Sequence, residues 1–141
     1  MILFCDTSAV VKIYVQEDAS EKVIRAAEKS DSVAVSPITW VEFMSAIARR
    51  SRERPQDAVA LAEARLCFVA DWPRFQKVEV DQDLRELAGD HADTFALRAY
   101  DSVQLASAQR LHSEMPGEVR FACFDARLSK AAKVLGMVSL V

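Results

Sequence analysis

Ile2-Leu3-Phe4-Cys5 is an apolar run with no polar alternation, and it stops at once at Asp6. A strand with one wet face alternates apolar and polar residues. A strand without alternation is buried on both faces, as in a parallel sheet covered by helices. The same kind of segment recurs along the chain. Val33–Val35, Lys77–Val80, Val119–Phe124 and Met137–Val141 read as further strands. Helical patterns lie between them: Ala9–Val15, Ser20–Lys29 with Ser20 as N-cap, and Pro37 to Arg52, opened by the Ser36-Pro37 pair. Further helices are expected over Pro55–Ala70, Asp81–Asp93, Asp101–His112 and Arg127–Leu135, the last closed by Gly136. Asp71-Trp72-Pro73 and Met115-Pro116-Gly117 read as turns. Strands alternating with helices imply an α/β fold whose parallel sheet, of four to five strands, is covered on both sides. One domain spanning residues 1–141 is expected from the length.

Composition removes several alternatives. With 51% hydrophobic and 28% charged residues, the chain has a globular balance that rules out disorder. Three glycines and four prolines are too few for a sandwich of many tight turns or for a Gly-rich phosphate loop. Cys5, Cys67 and Cys123 are odd in number and lack paired spacing. That argues against a disulfide framework and against a cysteine zinc site. Their apolar neighbours suit reduced core thiols, and hence a cytoplasmic setting. No apolar run approaches a membrane span, and Met1–Cys5 lacks the basic lead of a signal peptide. The net charge of −3 means that a nucleic-acid partner must be met by a local basic patch or through bound cations.

Most of the 21 acidic residues sit among polar neighbours. Four do not. Asp6 ends the first apolar run and Asp125 ends another. Glu42 lies within Trp40-Val41-Glu42-Phe43-Met44, and Asp101 stands between Ala99-Tyr100 and the Val103-Leu105 helix. A carboxylate in apolar company must be paired, hydrogen-bonded or metal-bound. Asp6 and Asp125 fall at the carboxyl ends of expected parallel strands, where open α/β sheets build their sites. No Lys or Arg lies in the immediate apolar run beside any of the four. Two such charges about 6 Å apart repel by roughly 3 kcal/mol at an effective dielectric near 20. A hard divalent cation, Mg²⁺ or Mn²⁺, suits an all-carboxylate set. The competing reading is capping: Asp6 and Asp125 as simple N-caps, Asp101 with Gln104 as a capping box, and Glu42 in an ordinary ion pair.

At these residues the sequence resembles the PIN-domain ribonucleases of the VapC toxin type. The matching stretches are Phe4–Lys12, Trp40–Ala46, Leu97–Ala108 and Phe124–Ala132, in an order and spacing that span nearly the whole chain. The resemblance implies a three-layer α/β/α sandwich and an acidic site of Asp6, Glu42, Asp101 and Asp125 that takes Mg²⁺ or Mn²⁺. It further implies endonucleolytic cleavage of RNA, a homodimer, and a cognate antitoxin that covers the site. One departure stands out: family members often carry Thr or Ser two residues before the last Asp, where this chain has Cys123.

The residue types favour metal chemistry over other routes. There is no histidine well placed as a base and no Ser-His-Asp set, whereas carboxylates can hold cations that activate water and steady a leaving oxygen. Asp6 and Asp101 are the expected direct ligands. Thr7 and Ser8 are candidates to orient Asp6. Arg49 and Arg50 begin a basic run beyond Glu42 that is a candidate for RNA phosphates, as are Lys12 and Arg98, although cations at a helix C-terminus also complement its dipole. Trp40, Phe43, Tyr100 and Phe124 are expected in the core, and His91 and His112 on the surface. Val59, Leu61, Leu66, Phe68 and Val69, with Trp72 and Phe75, make more apolar surface than one thin sheet needs and suggest the dimer face. Two rivals stand beside the nuclease: a phosphatase with an aspartyl nucleophile, disfavoured because position 8 is Ser where a second Asp is wanted, and a catalytically inactive module of the same fold that binds RNA or a protein partner.

Overall fold

A computed structural model describes residues 1–140. Five parallel strands form one sheet in the order β3-β2-β1-β4-β5. They are β1 (Ile2–Cys5), β2 (Ser32–Val35), β3 (Gln76–Lys77), β4 (Val119–Ala122) and β5 (Val138–Ser139). All four residues of β1 are buried, as its lack of alternation requires. Among the described residues there are seven α-helices: α1 (Thr7–Tyr14), α2 (Ser20–Lys29), α3 (Thr39–Glu53), α4 (Ala58–Asp71), α5 (Gln82–Phe95), α6 (Ala99–Glu114) and α7 (Ala126–Val134).

The two-residue side-chain period of the strands divides the core. Leu3, Cys5, Val35 and Ala122 face one way, and there they meet Val10 of α1, Val23 of α2, Phe43 of α3 and Phe68 of α4. Ile2, Phe4, Ala34 and Phe121 face the other way, against Leu84 of α5, Leu105 and Leu111 of α6, and Leu128 of α7. The result is an α/β/α sandwich. Phe43 and Phe68 stack with ring centroids 3.9 Å apart, flanked by Trp40, Trp72 and Tyr14. Aromatic pairs of this kind contribute about 0.5–1.5 kcal/mol each beyond their buried area. They clamp α3 to α4 and so fix the helix that carries Glu42.

Several boundaries differ from expectation. The α2 N-cap is Ala19 in a left-handed conformation, φ 68°, and not Ser20. The Ser20 hydroxyl instead closes the preceding loop, accepting from the Glu17 N–H and donating to the Val15 carbonyl. Ser36-Pro37 forms a turn, and α3 starts two residues later at Thr39. The third strand is displaced to Gln76–Lys77 and is much shorter than Lys77–Val80, because only Ala34 and Val35 lie beside it. Gly136 has φ 80°, a left-handed position just past α7 that suits a residue without Cβ. The expected last strand extends to Val141, which lies outside the described residues.

Side-chain placement also corrects three expectations. Cys67 is exposed, while Cys5 and Cys123 are buried. Tyr100 projects into solvent. His91 is buried and hydrogen-bonded to Gln109, because the α5–α6 contact closes over it. No helix among the described residues is long and apolar enough to cross a membrane.

Candidate active site

The sheet order fixes where a site can form. From β1 the chain crosses by α1 and α2 to β2 on one side, whereas β4 lies on the other side. Open α/β sheets bind ligands at the carboxyl ends of strands where the order reverses in this way. Asp6 and Asp125 follow the two central strands at that reversal. A hydrogen bond from the Asp6 N–H to the Ala122 carbonyl, 3.1 Å, ties the end of β1 to the end of β4.

Asp6 caps α1. One of its oxygens accepts from the Ala9 N–H at 3.0 Å and from the Ser8 hydroxyl at 2.6 Å. Asp125 caps α7 in the same way through the Leu128 N–H, 2.9 Å. Capping occupies one oxygen of each carboxylate, so it does not compete with a second partner on the other oxygen. Asp6 is 5% exposed and, among the described residues, makes no ion pair with a cation. Burial pushes its carboxyl up from the usual 3.8 to about 6, against hydrogen bonds from Ser8, Ala9 and Cys123, and the charge of Glu42 adds to the rise. Burial and the neighbouring Asp6 likewise push the Cys123 thiol upward, so it stays protonated beside the carboxylate. The position at which the resemblance expects a hydroxyl thus holds a thiol near Asp6, a weak donor that is directed at the Asp125 carbonyl, 3.6 Å.

Glu42 is in the first turn of α3, because the helix begins at Thr39 and not at Pro37. It belongs to a polar cluster that sequence reasoning did not assemble. The Thr7 hydroxyl donates to Glu42 Oε1 at 2.8 Å, and the Gln104 amide donates to the same oxygen at 2.9 Å. Thr7 and Ser8 therefore divide their work: Ser8 holds Asp6, while Thr7 holds Glu42. Ser8 also accepts from the Phe124 N–H, 3.3 Å, which ties the segment before Asp125 to the start of α1.

Asp101 does not cap α6. Arg98 is the N-cap, Asp101 lies in the first turn, and Gln104 is buried instead of closing a capping box. Leu97, just before the helix, is buried in the core, and α6 begins at Ala99, two residues earlier than the apolar pattern from Asp101 onward suggests. Arg98 stands 3.5 Å from Asp101 across an i,i+3 spacing. Gln104, one turn beyond Asp101, links its helix to Glu42 and Thr7.

Of the basic candidates, Lys12 and Arg50 both contact Glu17, at 3.1 and 2.8 Å. Burial alone would raise the Glu17 carboxyl, but those two cations outweigh it and hold it below the usual range. Lys12 also lies over the Phe124 ring, 4.9 Å from its centroid. Arg98 is paired with Asp101, and Arg49 is exposed on α3.

The donors suit a hard cation: carboxylate and hydroxyl oxygens with no histidine. Among the described residues, no three His, Cys, Asp or Glu side chains stand close enough together to hold one ion. Mg²⁺ is commonly held by only one or two carboxylates, with water and substrate phosphate completing its shell. The buried, unpaired Asp6 beside Glu42 fits that pattern.

The PIN-domain family profile matches residues 3–134. Ribonuclease VapC46 of Mycobacterium tuberculosis is 31% identical over 136 residues, covering 96% of this chain and 93% of that protein. Ribonuclease VapC45 of the same organism is 30% identical over 135 residues, covering 96% of this chain and 92% of that protein. The chain belongs to the PIN-domain family. Within it, the chain is similar to ribonucleases named VapC. A toxin–antitoxin complex from Klebsiella pneumoniae shares the fold with TM-score 0.66 at 18% identity, covering 100% of this chain and 98% of that chain. The VapBC2 complex of Rickettsia felis, bound to a promoter DNA fragment, does so with TM-score 0.64 at 13% identity, covering 99% and 97%.

Proposed function

We propose that this chain is a Mg²⁺- or Mn²⁺-dependent endoribonuclease, the toxin of a toxin–antitoxin pair, built as one PIN domain over residues 1–141 and working in the cytoplasm. The observation that carries the reading is Asp6: a buried carboxylate at the sheet's reversal point, next to Glu42 and without a cationic partner among the described residues. Asp6 and Glu42 would hold the ion, with Asp101 and Asp125 as further carboxylates facing its water or a second ion. A bound ion of this kind lowers the pKa of a water and neutralises charge on the phosphoryl group. The protein's own contribution is positioning. The α1 N-cap bonds fix Asp6, and Thr7 and Gln104 fix Glu42. Lys12, Arg49, Arg50 and Arg98 are the candidate phosphate contacts, three of them being paired with an acid that RNA must displace.

A cognate antitoxin is the expected protein partner, since relatives of this fold are found in toxin–antitoxin complexes. A homodimer is supported by α4, where Val59, Leu66 and Val69 are exposed beside a groove of about 670 Å³ against Met44 and Ile47 of α3. Leu61 and Phe68 of the expected dimer face are instead core residues.

One observation favours a second reading, an inactive module that binds RNA or protein: no three acidic groups among the described residues are assembled for an ion. Incubation of the purified chain with an RNA pool, followed by sequencing of the new ends, separates the two. The nuclease reading expects defined cuts with Mn²⁺ or Mg²⁺ that vanish with EDTA. Uncut RNA with either metal would leave the binding module.

A further inference from the structure

Gln104 has no place in the acidic set, yet it is 2% exposed and sits where three helices begin. Its amide nitrogen reaches Glu42 Oε1 at 2.9 Å, Thr39 Oγ1 at 3.0 Å and Thr7 Oγ1 at 3.2 Å. Thr7 follows Asp6 in α1, Thr39 opens α3, and Gln104 lies one turn past Asp101 in α6. A side-chain amide carries only two N–H groups. The single Thr7 hydroxyl proton is already directed at Glu42. One Gln104 hydrogen therefore goes to Glu42, and the other to the threonine oxygens.

The other end of the same amide is informative. Gln104 Oε1 is buried without a hydrogen-bond partner among the described residues. Rotating the amide would let Oε1 accept from the Thr39 hydroxyl, but it would give up the bond to Glu42 and turn a carbonyl oxygen against that carboxylate. The charge of Glu42 thus sets the amide's orientation, at the expense of an unpaired acceptor. Buried unpaired acceptors are uncommon in folded proteins and call for an explanation.

We propose that Gln104 is a positioning residue for the metal site: with Thr7 it occupies Glu42 Oε1, which leaves Oε2 as the oxygen that Glu42 would offer to an ion. This rests on the reading of Asp6 and Glu42 as metal-holding groups. Partners that orient a metal-ligating side chain typically set metal affinity or activity by 10–100-fold, on the order of the effect expected here.

Mn²⁺ binding, measured by titration calorimetry on the intact protein, tests the assignment. Gln104→Met keeps the length and removes both donors and the orphaned acceptor. Its metal-free melting temperature should stay near that of the wild type, while Mn²⁺ affinity falls roughly tenfold or more. Gln104→Asn keeps the amide but is too short to reach Glu42, and it should weaken Mn²⁺ binding similarly. It carries the test if the Met variant does not fold. In a Glu42→Gln background either substitution should leave Mn²⁺ affinity unchanged, because Gln104 acts through Glu42. Wild-type affinity in both single variants, or the same loss in the Glu42→Gln background, would overturn the assignment alone. Absence of Mn²⁺ binding by the wild-type chain would overturn it together with the reading it rests on.

Discussion

Thr7 Oγ1 donates to Glu42 Oε1 across 2.8 Å, joining the first residue of α1 to the first turn of α3, 35 positions later. Asp6 immediately precedes Thr7, so this bond sets the two carboxylates against each other. Among the described residues no cation pairs with Asp6, and its carboxyl rises to about 6 as a result of burial and, to a lesser degree, of Glu42. The site therefore carries a cost in the metal-free protein that a bound cation would relieve.

That cost is measurable through pH. A carboxyl whose folded pKa lies above its unfolded value holds its proton more tightly when folded. Stability from Asp6 is thus full below about pH 4 and declines as pH rises towards 6, by on the order of 3 kcal/mol for the full shift. Asp6→Asn keeps the cap, because Asn caps as well as Asp. The metal-free variant should be more stable than the wild type at pH 7.5, by about 1–3 kcal/mol in chemical denaturation, and equally stable near pH 4. Equal stability at both pH values would contradict the strained carboxylate.

Cys123→Ser places a stronger donor beside Asp6 than the thiol. The Asp6 carboxyl, followed by carbon-detected NMR, should then titrate below its present value of about 6. A titration that is unchanged or moves upward would show that the thiol position does not act on Asp6.

Lys12 and Arg50 share Glu17. Glu17→Gln frees both cations and removes a negative charge, so RNA retention at low salt should tighten in a filter-binding assay. Stability should fall by about 1 kcal/mol or less, because these groups are partly exposed. The loss should appear at neutral pH and fade in acid, where Glu17, held below its usual range, is itself finally protonated. Weaker RNA binding by the variant would remove Lys12 and Arg50 from the contact surface.

Leu66 is 70% exposed on α4. If that face joins two copies, Leu66→Arg should convert a dimer to a monomer in light scattering without changing the melting temperature of the isolated domain. A wild-type chain that is already monomeric at high micromolar concentration would exclude the dimer.

What could be read in the sequence depended on the range of the interactions. β1 was legible because four consecutive apolar residues have no wet face, and Asp6 and Asp125 because each interrupts such a run. Glu42 was legible as an acid in apolar company, but its bond to Thr7 is not a local property. Gln104 was hidden for the same reason: three residues after Asp101, it satisfies the local pattern of a capping box, and only the packing of α1, α3 and α6 reveals what it touches. At Leu97 the local pattern fell short in the other direction: the residue is buried in the core from outside the periodic segment, and α6 begins at Ala99 and not at Asp101. In α4, apolar residues occur on every side, so periodicity did not distinguish buried Phe68 from exposed Leu66 or Cys67.

The chemistry of the cut ends tests the central claim most directly. A water activated by a carboxylate-held cation, displacing the 3′ oxygen, leaves a 5′-phosphate and a 3′-hydroxyl. The wild-type chain with Mn²⁺ should produce those ends on RNA, and Asp6→Asn and EDTA should each abolish them. Ends carrying 2′,3′-cyclic phosphate, or cleavage undiminished in EDTA, would contradict the assignment of Asp6 and Glu42 as the groups that hold the ion.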